Sequence, residues 1–114
     1  VAITLVVTDL DIDSAQSVAS TLASAQVLAL DVTDPVACDE IVRQVVDEHG
    51  RLDVWVSNAG ISKMQRFIDI APEELVRNFE VNTYGVFYCG QSAARAMIAL
   101  GTRGCIVNTA SMAA

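Results

Sequence analysis

Aromatic residues are scarce in this chain. They make up 5% of 114 residues, against 53% hydrophobic residues overall, so any core must be aliphatic, built from Val, Ile, Leu and Ala. That supply suits parallel strands buried on both faces better than an antiparallel sheet with one wet face. Positive charge is also short. Seven Lys and Arg stand against 14 Asp and Glu, for a net charge of −7. No basic stripe exists to displace counterions, which excludes a nucleic-acid partner. The acidity keeps the chain soluble and says little more.

Other absences close further doors. His49 is the sole histidine, and Cys38, Cys89 and Cys105 show no CxxC spacing. Zinc and a disulfide framework are therefore disfavoured, and small buried thiols in a reducing, cytoplasmic compartment are expected. The Asp9-Asp11-Asp13 cluster lacks the glycine and terminal glutamate of a calcium loop, so no metal is expected. No P-loop stands anywhere, which removes phosphoryl transfer. The apolar run Val1 to Val7 is too short to span a bilayer and has neither a basic flank nor a cleavage site. A membrane partner is not expected. The length allows one domain at most.

What is present alternates regularly. Ile3 to Thr8 reads as a buried strand ending at Asp9. A helix of about three turns follows, with Asp13 or Ser14 as N-cap and Ala15, Val18, Ala19 and Leu22 at helical spacing. Val27 to Leu30 is a second strand, closed by Asp31. Asp34 and Pro35 then open a helix as N-cap and first helical residue. Its inner face is Cys38, Ile41, Val42 and Val45, and Gly50 ends it. Leu52 to Val56 is a third strand. Pro72 starts another helix, with Glu73 and Glu74 in its favourable first turn. Val81 to Leu100 is apolar or small almost all round, a pattern that predicts burial on nearly all sides and contact with another subunit. Ile106 to Asn108 is a fourth strand. Strict alternation of this kind means a parallel α/β sheet with crossover helices.

Each strand ends in polar or small residues: Asp9, Asp31, Asn58 with Gly60, and Thr109 with Ser111. In parallel α/β sheets ligands bind just beyond the carboxyl ends of the strands. If all four strands run parallel, the four ends face one crevice. The Ser57-Asn58-Ala59-Gly60 turn lets a planar or phosphorylated ligand approach the backbone closely. Asp9 also reads as a simple helix-proximal cap, and Asp31 as a turn aspartate.

With these residues in place, the chain resembles the short-chain dehydrogenase/reductase family. The resemblance rests on Asp9, Asp31-Val32, Ser57-Asn58-Ala59-Gly60, Val81-Asn82 followed by Gly85, and Ile106-Val107-Asn108-Thr109-Ala110-Ser111. It covers essentially the whole chain in the right order, and implies a partial Rossmann-like doubly wound sheet whose first strand is missing. It also implies an NAD-dependent oxidoreductase moving a hydride between nicotinamide and a secondary alcohol or ketone, with polyol, acetoin-like or 3-hydroxyacyl substrates as examples. Asp9, with the adjoining Leu10, would hold the adenosine ribose and repel a 2′-phosphate, favouring NAD over NADP. Asp31 and Val32 would contact adenine. Asn58, Ala59 and Gly60 would hold the ribose, with Val81 and Thr109 also on the cofactor. Asn82 would shape a helix kink and order a water of the proton relay, and Ser111 would hydrogen-bond the reacting oxygen. The Val81–Leu100 helix would join subunits of a homo-oligomer.

Two departures set expectations of their own. The family's glycine-rich phosphate turn is not present, and neither is its Tyr-x-x-x-Lys pair: Tyr84 and Tyr88 have no lysine four positions on, and Lys63 is the only lysine. Ser57 also stands where a second asparagine is usual. The resemblance therefore implies an internal segment of a protein rather more than twice as long. Without a positioned proton partner the segment alone should lose roughly 10²–10⁴ in rate and be inactive. A non-catalytic nucleotide-binding or interaction module is the alternative. Without a strand between them, Ile3–Thr8 and Leu52–Val56 should either pair directly or leave exposed, unstable edges.

Overall fold

Four short strands alternate with helices in the computed structural model, which describes residues 3–112. Strand β1 (Val6–Asp9), helix α1 (Ile12–Ala19) and strand β2 (Gln26–Ala29) come first. Helix α2 (Pro35–His49), strand β3 (Val54–Ser57), helix α3 (Pro72–Phe79), helix α4 (Gly85–Leu100) and strand β4 (Cys105–Asn108) follow. A 3₁₀ turn at Phe67–Asp69 precedes α3, and a π-helical turn at Glu80–Tyr84 joins α3 to α4. The class is α/β. Among the described residues no helix is long and apolar enough to cross a membrane.

The chain divides after Asp31 into two compact units. In the first, β1 and β2 pair in parallel with Val6 opposite Gln26 and Asp9 opposite Ala29. In the second, β3 and β4 pair in parallel with Val54 opposite Cys105 and Ser57 opposite Asn108. Direct pairing of the Ile3–Thr8 and Leu52–Val56 segments, one of the two expected outcomes, does not occur. Each strand pairs instead with the strand at the other end of its own helical crossover, the connection that parallel neighbours require.

In the first unit, α1 begins earlier than the periodicity suggests and spans 8 residues. Its N-cap is Asp11, not Asp13 or Ser14. One Asp11 oxygen accepts the Asp13 N–H at 3.1 Å, and the other accepts the Ser14 hydroxyl at 2.7 Å. The helix ends at Ala19, where the Ser20 and Thr21 hydroxyls bond back to the Ser17 and Val18 carbonyls. Leu22 therefore falls outside it. Its inner face is Ala15 and Ala19, while Val18 is half exposed.

The second unit holds the larger core. Asp34 caps α2 by accepting the Val36 and Ala37 N–H groups, and Gly50 closes the helix at φ 72°, a left-handed position suited to glycine. Cys38, Ile41, Val42 and Val45 are buried, as their spacing requires. They pack toward the stripe of α4 formed by Cys89, Ala93 and Met97. At the start of α4, a Cβ on Gly85 would stand 2.7 Å from the Val32 Cγ2 and 3.2 Å from the Val32 carbonyl oxygen. The helix can come this close to Val32 only with glycine there.

Two burial expectations are corrected. Within the chain itself the Val81–Leu100 stretch is not covered on nearly all sides: Phe87 and Ile98 are 61% and 80% exposed, while Cys89, Ser92, Ala93 and Met97 lie on the buried face. The strands of the second unit are not buried on both faces either. Ser57 is buried and Trp55 half-buried, whereas Val54 and Val56, pointing the other way, are more than half exposed. Of the three cysteines, Cys38 and Cys89 are buried as expected and Cys105 is exposed.

Candidate functional site

The first unit contributes a carboxylate turn. Asp9 is the last residue of β1 and exposed, and its Oδ1 accepts the Asp11 N–H at 2.9 Å. One oxygen thus shapes the turn, and Oδ2 lies outside that contact. Leu10 beside it is 61% exposed. The Asp11 carboxyl is held below its ordinary value, first by the Ser14 hydroxyl and then by the Asp13 N–H. Asp9 thus closes the turn ahead of α1 and leaves the N-cap to Asp11. Asp31, the last residue of this unit, is half-buried.

The second unit gathers four of the sequence motifs at one place. Beyond β3, Asn58, Ala59 and Gly60 are exposed. The Ser57 carbonyl accepts the Thr109 N–H at 3.0 Å, extending the β3–β4 ladder. The Asn58 Oδ1 accepts the Thr109 hydroxyl at 3.3 Å. Asn82, inside the π turn, accepts the Ile61 N–H through Oδ1 and donates Nδ2–H to the Ile61 carbonyl, both at 2.8 Å. The amide thus imitates a neighbouring strand and grips the chain directly after Gly60. A Cβ on Gly60 would lie 3.4 Å from that same Oδ1, an ordinary van der Waals contact. Val81, next to Asn82, is buried at 6% exposure and fixes the π turn from within. Val32 supplies its carbonyl to the Cys38 thiol at 3.6 Å and its side chain to the contact with Gly85. Ser111 lies on the exposed chain past β4.

Several supporting residues have no site role in the sequence reading, in which Trp55 is a packing residue and Glu74 a first-turn helix acid. Trp55 donates its indole N–H to the Ser57 hydroxyl at 3.1 Å. Residues two apart on a strand share a face, so this pairing was available from spacing alone, and it gives Ser57 a partner for its buried hydroxyl. Ile61 enters the site through its main chain, which no side-chain pattern announces. Glu74 ties the following loop to α3: its carboxylate accepts from the Lys63 ammonium, the Gln65 amide and, at 3.4 Å, the Ala71 N–H. The Lys63 hydrogen bond, followed by that of Gln65, lowers the Glu74 carboxyl to about 2.

Chemically, the second unit offers exposed amides, a glycine that admits close approach, and hydroxyls at Thr109 and Ser111. The first offers a carboxylate suited to vicinal hydroxyls. Groups of these kinds are able to hydrogen-bond the hydroxyls of a sugar or an alcohol.

Comparison with known proteins identifies the family. A family model described as Enoyl-(Acyl carrier protein) reductase matches residues 2–114. The chain is 35% identical over 108 residues to a sorbitol dehydrogenase of Cereibacter sphaeroides, covering 94% of this chain and 42% of that enzyme. It is 38% identical over 84 residues to an L-rhamnose 1-dehydrogenase (NAD(P)(+)) of Sphingomonas, covering 74% and 33%. The crystal structure of a short-chain type dehydrogenase/reductase from Mycobacterium marinum superposes with a TM-score of 0.91 at 37% identity, over 96% of this chain and 46% of that one. The chain therefore spans less than half the length of these relatives. With the family model matched along nearly all of its length and its parallel α/β elements superposing on a solved member, the chain belongs to the short-chain dehydrogenase/reductase family.

Proposed function

We propose that the chain is part of an oxidoreductase that transfers a hydride between a nicotinamide cofactor and the carbinol carbon of a small secondary alcohol or ketone. Residues 1–114 form part of a single nucleotide-binding domain in this reading. The observation that carries it is the double hydrogen bond from Asn82 to Ile61, together with that from Thr109 to Asn58. These fix the amide-rich turn after β3 in one conformation with its Asn-Ala-Gly face exposed.

The residues present fit the adenosine half of the cofactor. The exposed Asp9 carboxylate keeps one oxygen outside its own turn and accepts ribose hydroxyls, and its charge opposes a 2′-phosphate. NAD is therefore preferred over NADP. Leu10 covers the same ribose edge, and Asp31 and Val32 border adenine. Asn58, Ala59 and Gly60 lie along the ribose, with Val81 and Thr109 supporting that surface. When bound, the nicotinamide supplies the hydride acceptor or donor. Ser111 hydrogen-bonds the substrate oxygen. Asn82 has its side chain committed to Ile61, so its main chain is left to order the water of the proton relay.

The proton partner itself is not among these residues, since neither Tyr84 nor Tyr88 has a lysine four positions on. Residues 1–114 alone are accordingly inactive. The exposed apolar residues of α4, Phe87 and Ile98 among them, form the subunit contact of a homo-oligomer. The buried Cys38 and Cys89 thiols support the reading of a cytoplasmic location.

The test is turnover by the intact protein carrying this chain, with NAD and a panel of secondary alcohols. NADH formation is expected, and Ser111→Ala should lower kcat by roughly 10²–10³ while cofactor binding holds. Cofactor binding with no turnover on any alcohol or ketone would instead favour a non-catalytic nucleotide-binding module.

A further inference from the structure

The hydride-transfer reading makes no use of the two buried thiols between α2 and α4. The Cys38 and Cys89 sulfurs lie 3.3 Å apart in an S–H···S contact, with 51 residues of sequence separation. Cys38 is 0% and Cys89 3% exposed. Few side chains in a core face a partner with which they can form a covalent bond. Here both do, from two helices that already pack together through Ile41, Val42 and Val45 on one side and Ala93 and Met97 on the other. The Ser92 hydroxyl, one helical turn beyond Cys89, donates to the Asp39 carboxylate and fixes the same two helices in register. A disulfide has its sulfurs about 2.05 Å apart, so closure asks for little more than 1 Å of approach, within reach of side-chain rotation.

We propose that Cys38 and Cys89 are a redox-active dithiol that a small peroxide converts into a disulfide linking α2 to α4. The step balances as two thiols plus one hydrogen peroxide giving one disulfide and two waters. The Cys38 sulfur attacks one peroxide oxygen, the O–O bond breaks, and water leaves, so Cys38 becomes a sulfenic acid. The Cys89 sulfur then displaces the sulfenic oxygen as a second water, and the S–S bond forms. The order follows from the surroundings. Burial, and after it the neighbouring Cys38 thiol, push the Cys89 thiol well above the usual thiol range, which makes Cys89 poorly suited to be the first attacking thiolate. Because thiolate is the nucleophile and both sulfurs are buried, the reaction proceeds through local opening of the helix pair. It is slow beside that of an exposed thiol and selective for its partner. Cys105, exposed on β4, is the built-in contrast.

The experiment treats the reduced, folded protein carrying this chain with hydrogen peroxide, then digests it without reduction and maps the peptides by mass. A Cys38–Cys89 cross-linked peptide that dithiothreitol releases is the expected product. Cys105→Ser should leave its yield unchanged. The thermal midpoint of the oxidised form should rise by roughly 10 °C. In denaturant the preference for this pair should vanish. Recovery of Cys38 and Cys89 as unlinked thiols or separate sulfinic acids, after Cys105 has fully reacted, would overturn the proposal. So would a link yield that is the same folded and unfolded. Neither outcome bears on hydride transfer, so this inference and the functional reading fail independently.

Discussion

The chain leaves β1 and β3 through two polar turns that are held in opposite ways. After β1, the side-chain hydrogen bonds of Asp9 and Asp11 reach only two or three residues along the chain. After β3, those of Asn82 and Thr109 span 21 and 51 residues. The first turn is thus a property of its own hexapeptide, and the second exists only when the π turn and β4 are in place. Damage at the β3 turn should be felt by the whole second unit, and damage at the β1 turn should stay where it is made.

Gly85 offers the largest effect on the long-range side. A Cβ there meets a β-branched side chain at 2.7 and 3.0 Å and a backbone oxygen at 3.2 Å, and neither neighbour can swing away. Gly85→Ala should cost about 3 kcal/mol, the upper end for overpacking, with partial rescue by Val32→Ala, both read from urea denaturation. Full tolerance would mean that the approach of α4 to Val32 is not close.

Asn82→Ala comes next. It leaves the Ile61 N–H and carbonyl without their partner and should cost about 1–2 kcal/mol, since both groups regain some water. Faster hydrogen exchange of the Ile61 amide should accompany the loss. Asn82→Asp should fall between, because a carboxylate still accepts the N–H but opposes the carbonyl.

On the local side, Asp11→Ala should speed exchange of the Asp13 and Ser14 amides while moving the global urea midpoint little. A midpoint shift as large as that of Asn82→Ala would erase the distinction between the two turns. The smallest effect is a pH dependence. The Glu74 carboxyl falls from an ordinary 4.5 to about 2 when the Lys63 and Gln65 contacts form. A lowered folded value stabilises the carboxylate state, so the contribution is complete above pH 4.5 and fades as pH drops toward 2. Glu74→Gln should flatten the stability profile in that acid window, with a loss that is small for a solvent-accessible pair, fully present at neutral pH and gone near pH 2.

The same division explains what could be read from the residues alone. Helix α2 was legible at both ends, because Asp34, Pro35 and Gly50 are local signals each with one structural use. The start of α1 was not, because Asp9, Asp11 and Asp13 each suit a cap and only the backbone path chooses Asp11. The motif at Asn58–Gly60 was legible as a small polar turn, but the hold of Asn82 on Ile61 depends on a side chain reaching main chain across a loop. Helix α4 misled for a related reason. Its apolar composition is real, but composition does not say which face the chain itself covers, and the covered face runs through Gly85, Cys89, Ser92, Ala93 and Met97.

One titration addresses the nucleotide reading at its root: NAD and NADP binding to the intact protein, followed by fluorescence, with and without Asp9→Ser. A carboxylate accepting ribose hydroxyls, and opposing a phosphate in their place, should make NAD bind at least about tenfold more tightly, and Asp9→Ser should abolish the difference. Equal affinities in the unmodified protein, or tighter binding of NADP, would contradict the assignment of the β1 turn to the adenosine ribose.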